Sequence, residues 1–273
     1  MGDESLIKLH IHTNNPDQVI KIALEAGEIQ DVKIDNMRLQ HSEYLIKKQA
    51  DSLEPLKEWG IAAVAQGKGL EEIFRDLGVD LIIPGGQTIN PSVEEILKAF
   101  EQLKAKNVFL LVNNRNVALA AEEAKKLLRD KEIFLVKTTH MVEGIAALLR
   151  FNSEISPEEN LTRMEEARQE IQVVDITTAQ RDGSLNGVSY LQGDYIALAG
   201  KNEVIAVAKE LREIAINALD NLGIKEGSLI TIYAGEGIEE DVFLKDEISQ
   251  RFKVEVEWYY GGQPHYPLYL AIE

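Results

Sequence analysis

Hydrophobic and polar residues alternate in two short stretches near the start of the chain. Residues 5–13 and 32–37 show the two-residue period of strands that bury one face. Between them, Asn14-Asn15-Pro16-Asp17 supplies turn and helix-start residues, and apolar side chains recur at helical spacing from Val19. The pattern predicts a small β-α-β unit over residues 1–50.

From residue 60 the pattern changes to short apolar runs that alternate with amphipathic segments. The runs have the length and composition of strands covered on both faces, and the segments between them have a helical period. Alternation of this kind predicts a mostly parallel sheet with right-handed crossovers, in a lobe over residues 51–155. The predicted strands are 61–65, 79–83, 108–112 and 133–136, and the predicted helices are 69–77, 92–104 and 117–129.

The remainder of the chain predicts a second, more mixed α/β lobe over residues 156–273. Ser156 and Pro157 are typical of a helix start, and we expect that helix to reach about Glu170. A turn-rich stretch at 181–187 is typical of a hairpin connection. The other predicted strands are 173–178, 194–199, 229–234, 254–259 and 266–272, and the other predicted helices are 203–222 and 239–250.

Charge narrows the range of functions. The chain has 273 residues, with 29 basic and 46 acidic side chains, for a net charge of −17. Residues 151–273 alone carry 23 acidic and 10 basic side chains. An acidic chain repels phosphate backbones and anionic lipid heads, so we expect no nucleic-acid partner.

Two absences add to this picture. The chain has no cysteine, which excludes disulfides and cysteine-ligated zinc within it. No apolar run reaches the ~18 residues that a membrane span needs, and the acidic first residues do not resemble a signal peptide. We therefore expect a cytoplasmic protein with no membrane span.

One loop is the strongest candidate for ligand binding. The sequence PGGQTINPS follows a predicted strand and precedes a predicted helix, and in open α/β sheets ligands bind beyond the carboxyl ends of strands. Glycine lets the backbone approach a ligand closely, and the polar side chains offer hydrogen bonds. A turn followed by a helix capped by Ser92 and Glu95 explains most of the same residues, so both interpretations stay open. The candidates are Gly85, Gly86, Gln87, Thr88 and Asn90.

Polar residues also follow later strands. Asn113, Asn114 and Arg115 come after the next strand, at the same predicted sheet edge, where they either bind a ligand or cap a helix. His140, after the fourth strand, is typical of a helix start. His265 follows a second Gly-Gly-Gln sequence and either meets a ligand or serves a Pro-rich turn.

His10 and His12 are the candidate metal ligands. They are two residues apart on a predicted strand, so both imidazoles project from one face. Two solvent-facing histidines are the other interpretation. The chain contains no nucleophile elbow, HExxH, Walker A or GxGxxG motif, so we expect no catalytic residue of these kinds.

Five segments resemble the ATP-binding subunit of bacterial fatty acid kinase. This YloV-like family is also described as dihydroxyacetone kinase-related or DAK-phosphatase-like. The resemblance runs over essentially the whole chain, in the family's order, and covers the C-terminal half of the family's length. The segments are KLHIHTNNPDQVIKIALEAGEI (8–29), NMRLQH (36–41), LGVDLIIPGGQTINPSVEEIL (77–97), VNNRN (112–116) and YYGGQPHYPLYLAIE (259–273).

The resemblance implies a DegV-like two-lobed α/β module, preceded by a remnant of the family's middle domain. It also implies that ATP and Mg²⁺ bind a separate N-terminal DhaL domain, so no cofactor is expected in this chain. The family's middle-domain zinc site would use His10 and His12 together with an upstream Cys. DegV-like proteins hold a fatty acid carboxylate with a loop and a late histidine, in sequence settings comparable to those of Gly85–Asn90 and His265.

The resemblance therefore implies a non-catalytic region of a fatty acid kinase subunit. This region would engage the DegV-type subunit that carries the fatty acid, while the DhaL domain phosphorylates the acyl carboxylate for phospholipid synthesis. A homodimer is a further expected assembly. The alternatives are a fatty acid or anion binding module that uses the PGGQT loop and, less favoured, an independent enzyme such as a phosphatase.

Overall fold

The computed structural model describes residues 2–3, 6–7, 15–29, 56–86, 89–200 and 203–273. The chain divides into two compact units, Met1–Pro55 and Leu56–Glu273. Within the described ranges, no helix has both the length and the apolar character needed to cross a membrane.

The first unit contains a two-stranded antiparallel pair and a helix. Strands β1 (Gly2–Asp3) and β2 (Leu6–Ile7) pair with each other. Helix α1 (Pro16–Ala26) starts with proline in its first turn, where a missing backbone N–H costs nothing. The predicted strand at 32–37 and most of the predicted strand at 5–13 lie outside the described residues.

The first sheet of the second unit is entirely parallel. Its strands are β3 (Lys57–Ala65), β4 (Leu81–Pro84), β5 (Ala105–Leu111) and β6 (Glu132–Val136), in the order β4-β3-β5-β6. Residues 62–65 and 108–111 are buried because helices cover both faces, which explains their continuous apolar runs. The chain changes direction across the sheet between β3 and β5, and in open α/β sheets ligands bind at the carboxyl ends of strands at such a point.

Helices α2 (Lys68–Asp76), α3 (Val93–Gln102), α4 (Ala118–Leu127) and α5 (Met141–Leu149) follow the four strands in turn. Ser92 and Glu95 form the predicted capping box, in which each side chain bonds the other residue's backbone N–H. Helix α6 (Pro157–Glu170) starts as predicted, with the Ser156 side chain accepting from the Glu159 N–H.

The second sheet has six strands and is mostly antiparallel. Its order is β11-β10-β7-β14-β12-β13, and only β12 and β13 run parallel. Helices α7 (Leu211–Leu222) and α8 (Val242–Phe252) pack on one face. The strands are β7 (Gln172–Thr178), β10 (Tyr195–Ala199), β11 (Glu203–Ala208), β12 (Leu229–Ala234), β13 (Glu255–Tyr260) and β14 (Leu268–Ile272), and a hairpin of β8 (Gly183–Leu185) and β9 (Val188–Tyr190) connects β7 to β10.

The prediction of one long helix over 203–222 is wrong in its first third. Glu203–Ala208 forms β11, which pairs antiparallel with β10. Val204, Ala206 and Ala208 are buried while the residues between them are more exposed, so the segment has the two-residue period of a strand. Branched side chains such as Ile205 favour that conformation.

A hydrophobic core lies between the two sheets. The rings of Trp59, Phe109 and Phe134 come from the first sheet, and Tyr233 and Tyr269 come from the second. The Phe109 and Phe134 rings stack with their centroids 5.1 Å apart. This cluster joins the two sheets within the compact unit of residues 56–273, and the predicted domain boundary at residue 155 stays a prediction.

Candidate functional site

Asn113 follows β5 at the carboxyl ends of β3 and β5, and its side chain is buried. Its Nδ2 donates to the Val64 carbonyl oxygen at 2.9 Å, and its Oδ1 accepts from the Thr138 hydroxyl at 2.7 Å. The Asn113 backbone N–H also donates to Thr138 Oγ1 at 2.9 Å. Asn113 has a φ of 54°, a left-handed conformation that asparagine tolerates better than most residues. Its amide therefore joins the ends of β3, β5 and β6.

Asn114 holds the PGGQT loop against β5. Its buried amide donates from Nδ2 to the Gly86 carbonyl oxygen and, at 3.1 Å, to Asn90 Oδ1. Its Oδ1 accepts from the Asn116 N–H at 2.8 Å. Both donors and the acceptor of this amide are thus occupied by the protein itself.

The glycines of this loop allow close packing. Neither Gly85 nor Gly86 has a positive φ. A Cβ on Gly85 would lie 2.8 Å from Val64 Cγ1, and a Cβ on Gly86 would lie 2.6 Å from Gln66 Oε1. The Gly86 N–H donates to the Ile89 carbonyl at 2.9 Å, so the loop closes on itself. Gln87 and Thr88 lie outside the described residues.

Three predicted ligand-binding residues are exposed. Asn90 accepts from Asn114, Arg115 is the next residue after Asn114, and both are exposed. His265 has a φ of 67°, and its carbonyl oxygen accepts from the Thr177 hydroxyl at 3.0 Å. The side chains of these three residues are therefore accessible to a partner or a ligand.

The two Gly-Gly-Gln sequences occupy equivalent places in the two sheets. The Gly85 N–H donates to Ala65, the last residue of β3, at 3.1 Å. The Gly261 N–H donates to Ala234, the last residue of β12, at 2.8 Å. Each loop therefore turns back over the neighbouring parallel strand.

The second of these loops contacts the start of α2. The Leu70 N–H donates to the Gly261 carbonyl oxygen at 2.9 Å. Gly69 lies so close to Tyr260 that a Cβ there would be 1.8 Å from the tyrosine carbonyl oxygen. Residues 260–262 thus accept from the first turn of α2 and connect the two sheets at this edge.

A buried histidine and an aspartate form the contact that sequence reasoning missed. His140 caps α5 as the sequence predicts, because its Nδ1 accepts from the Val142 N–H at 3.1 Å. Its Nε2 lies 3.0 Å from Asp175 Oδ1 on β7, although the two atoms are not aligned as a hydrogen bond. The imidazole also meets the Tyr269 ring edge-on, with centroids 4.4 Å apart. Asp175 is 35 positions from His140 in the chain, so no local motif signals the pair.

The surroundings of this pair affect two tyrosines. Burial, followed by the nearby Asp175 carboxylate, raises the pKa of Tyr269 well above its ordinary value. The same two causes raise the pKa of Tyr266. Both phenols are therefore neutral at physiological pH and available only as hydrogen-bonding groups.

His10 and His12 lie outside the described residues. The described part of the chain contains no group of three or more His, Cys, Asp or Glu side chains placed to hold a metal ion. Two imidazoles leave a tetrahedral zinc site incomplete, and the sequence has no cysteine to add.

The edge at the carboxyl ends of the strands has buried polar side chains below and exposed polar side chains at its surface. Its buried amides are occupied by backbone carbonyls and neighbouring side chains, which fixes the loops. The exposed Asn90, Arg115 and His265 can contact a partner or a ligand. Whether the predicted residues bind a ligand stays a prediction.

Two family models match the chain. The model of the FakA-like C-terminal region of fatty acid kinase matches residues 60–273. The model of the FakA-like middle domain matches residues 1–44. An uncharacterised protein of Staphylococcus epidermidis is 31% identical over 283 residues, which cover 100% of this chain and 51% of that protein. The chain thus spans about half the length of the curated relatives that it matches.

Solved structures share the fold. A DegV family protein from Thermus thermophilus, described for its fatty acid binding, has a TM-score of 0.56 at 13% identity, covering 78% of this chain and 99% of that one. The Streptococcus pneumoniae fatty acid kinase B3 protein loaded with linoleic acid has a TM-score of 0.52 at 14% identity, with 79% and 99% covered. The dihydroxyacetone kinase of C. freundii has a TM-score of 0.53 at 12% identity, with 89% and 57% covered. These similarities confirm the predicted DegV-like α/β fold.

Proposed function

Because this chain belongs to the FakA-like family of fatty acid kinase subunits, we propose that it is the region of a kinase subunit that engages a fatty-acid-carrying DegV-type partner. A separate DhaL domain would then phosphorylate the acyl carboxylate with ATP. In this proposal, the chain positions the partner and contributes no catalytic residue of its own. The sequence resemblance to this family is confirmed by both family matches.

The observation that best supports this function is the state of the PGGQT loop. Asn114 and the Gly86 N–H, which could have held an anion, bond to the loop itself. Polar groups that are already bonded within the protein, with exposed Asn90 and Arg115 nearby, suit contact with a protein surface better than enclosure of a small ligand. Membership of the family supports the role in fatty acid kinase chemistry. The geometry of this sheet edge supports the contact with a partner.

The cofactors belong to the proposal as well. We assign ATP and Mg²⁺ to the DhaL domain and no nucleotide to this chain. Zinc in the intact protein would use His10 and His12 with a ligand from elsewhere, since this chain has no cysteine. The homodimer and the cytoplasmic location stay predictions.

Calorimetry with the chain and a fatty-acid-loaded DegV-type subunit from the same genome tests the function. We expect a saturable complex without ATP, and no acyl phosphate when ATP and Mg²⁺ are added. A longer protein that includes the DhaL domain serves as the positive control for acyl phosphate formation. Absence of any complex, or acyl phosphate formed with this chain alone, contradicts the proposal.

Binding of a fatty acid or another anion is the second candidate, and the exposure of Arg115 at the sheet edge favours it. A guanidinium beside the loop would pair with a carboxylate or phosphate. This candidate predicts that oleate or inorganic phosphate raises the melting temperature of the chain, and that Arg115→Ala removes the increase. An unchanged melting temperature with both ligands would exclude it.

A further inference from the structure

A surface cleft of about 570 Å³ opens where β13 ends. One wall comes from the segment between β12 and α8, and the other comes from the last residues of β13. Trp258 and Tyr260 are two positions apart on the strand, so their rings project from the same face of the sheet. The lining residues are Gly237, Ile238, Glu239, Glu240, Trp258 and Tyr260.

The cleft combines aromatic rings with exposed carboxylates. Tyr260 is 50% exposed, and both glutamates are exposed. Glu240 accepts from Lys245 Nζ at 2.6 Å, so part of its charge is compensated. Glu239 has no hydrogen bond or ion pair with any residue that the structure describes. The cleft therefore presents one uncompensated carboxylate beside two rings.

We propose that this cleft receives an arginine side chain of the protein partner, an inference that rests on the proposed function. A guanidinium stacks on aromatic faces and pairs with a carboxylate through two parallel N–H donors, so it matches both walls. A carboxylate or phosphate would be repelled by Glu239 and Glu240. An apolar group would leave Glu239 without a partner.

The same chemistry occurs next to the cleft, within the chain. The Arg212 guanidinium lies 5.4 Å from the centroid of the Phe243 ring, and its Nε donates to Asp241 Oδ2 at 2.5 Å. This surface thus already contains one arginine that contacts both a ring and a carboxylate.

The surroundings of the cleft suit a protein partner. Val242 and Phe243, which follow the acidic segment, are 58% and 73% exposed. Exposed aromatic side chains are enriched in protein interfaces. The surplus of acidic over basic side chains in residues 151–273, 23 against 10, adds attraction for a basic partner surface.

Two titrations test the proposal, and the first needs no protein partner. N-acetyl-arginine amide is added to the chain while tryptophan fluorescence is recorded. We expect a saturable change that Trp258→Phe abolishes, which separates it from the signal of Trp59. Glu239→Gln should weaken this binding by about three- to tenfold. No saturable change, or equal affinity of the Glu239→Gln variant, overturns the proposal.

The second titration uses the fatty-acid-loaded DegV-type subunit. Glu239→Lys should weaken binding of the subunit by at least threefold. The matched control Glu213→Lys reverses the charge of an exposed residue on α7 and should leave the affinity within twofold of wild type. Equal loss in both variants indicates only a general charge effect and overturns the docking assignment, as does unchanged binding of Glu239→Lys. If the wild-type chain fails to bind the subunit, the proposed function fails, and the arginine titration still decides what the cleft accepts. Circular dichroism confirms that each variant is folded.

Discussion

The Nε2 atom of His140 lies 3.0 Å from the Oδ1 atom of Asp175, in a contact that links the loop after β6 to the middle of the second sheet. Because Nδ1 of the imidazole accepts from the Val142 N–H, the proton of the neutral ring is on Nε2, the nitrogen nearer the carboxylate, although the two atoms are not aligned as a hydrogen bond. Both facing atoms are buried, and neither has an aligned hydrogen bond to another described residue. Both groups have lost their hydration on folding, and each is the charged or polar neighbour that offsets this loss for the other.

Removing this carboxylate should destabilise the second unit. Asp175→Ala removes the carboxylate that lies 3.0 Å from the buried imidazole Nε2, so we expect the free energy of unfolding to fall by about 1–3 kcal/mol. Urea unfolding followed by circular dichroism measures the change. Asp246→Ala, at an exposed acid on α8, is the control and should stay within about 0.5 kcal/mol of wild type. Equal stability of the two variants would show that the buried contact is not stabilising.

The buried amide of Asn114 should tolerate even an isosteric change poorly. Asn114→Asp keeps the acceptor for the Asn116 N–H but places a carboxylate oxygen against the Gly86 carbonyl. We expect a loss of about 2–4 kcal/mol in unfolding free energy, since a buried charge replaces a donor. Asn116→Asp makes the same chemical change at an exposed position and should be nearly neutral. A wild-type urea midpoint for Asn114→Asp would contradict the assigned hydrogen bonds.

Elements whose signal is local could be predicted from the sequence. The parallel sheet follows from apolar runs in β3, β5 and β6, and the capping residues Ser92 and Ser156 mark helix starts through contacts three residues away. Helix α5 has no usable period because it is apolar on nearly every side, and six of its nine residues are buried. The sequence predicts helix at β11 because the strand is short. Its alternating apolar residues run directly into the helical spacing of apolar residues in α7.

The candidate site could be located from the sequence but not resolved. The rule that ligands bind beyond strand ends correctly brings Asn90 and Asn114 to one edge. What the side chains do there depends on partners far away in the chain: Asn114 bonds Gly86 across 28 positions, and Asn113 bonds Val64 across 49. No local pattern in the sequence indicates partners so far away in the chain, so the hydrogen bonds of these amides are visible only in the structure.

The close approach of α2 to the loop after β13 predicts an intolerance to side chains at one glycine. An alanine at position 69 is normally favourable in a helix, but its Cβ would overlap the Tyr260 carbonyl oxygen. We expect Gly69→Ala to lower the unfolding free energy by about 1–3 kcal/mol. Glu72→Ala, exposed on the same helix, controls for the change in helix propensity and should be close to neutral. Thermal unfolding checks both variants, and a melting temperature of Gly69→Ala at or above that of wild type would contradict the packing.

Asp194 should make stability depend on pH in the acidic range. Its carboxylate accepts from Lys209 Nζ and from the Leu191 N–H, and these contacts hold the pKa of Asp194 below its ordinary value. A carboxyl group whose pKa is lower in the folded chain stabilises that chain above its ordinary pKa, and this contribution is lost as the pH falls through the folded value.

We therefore expect Asp194→Asn to be less stable than wild type at pH 7, and the gap to narrow steadily from about pH 5 to about pH 3 as the wild-type carboxylate is protonated. Urea midpoints measured at each pH give the gap. Glu213→Gln, which neutralises an exposed acid on α7, should follow the wild-type curve throughout. A gap between Asp194→Asn and wild type that stays constant from pH 7 to pH 3 would mean that the side chain acts by shape alone and that its charge contributes nothing to folding.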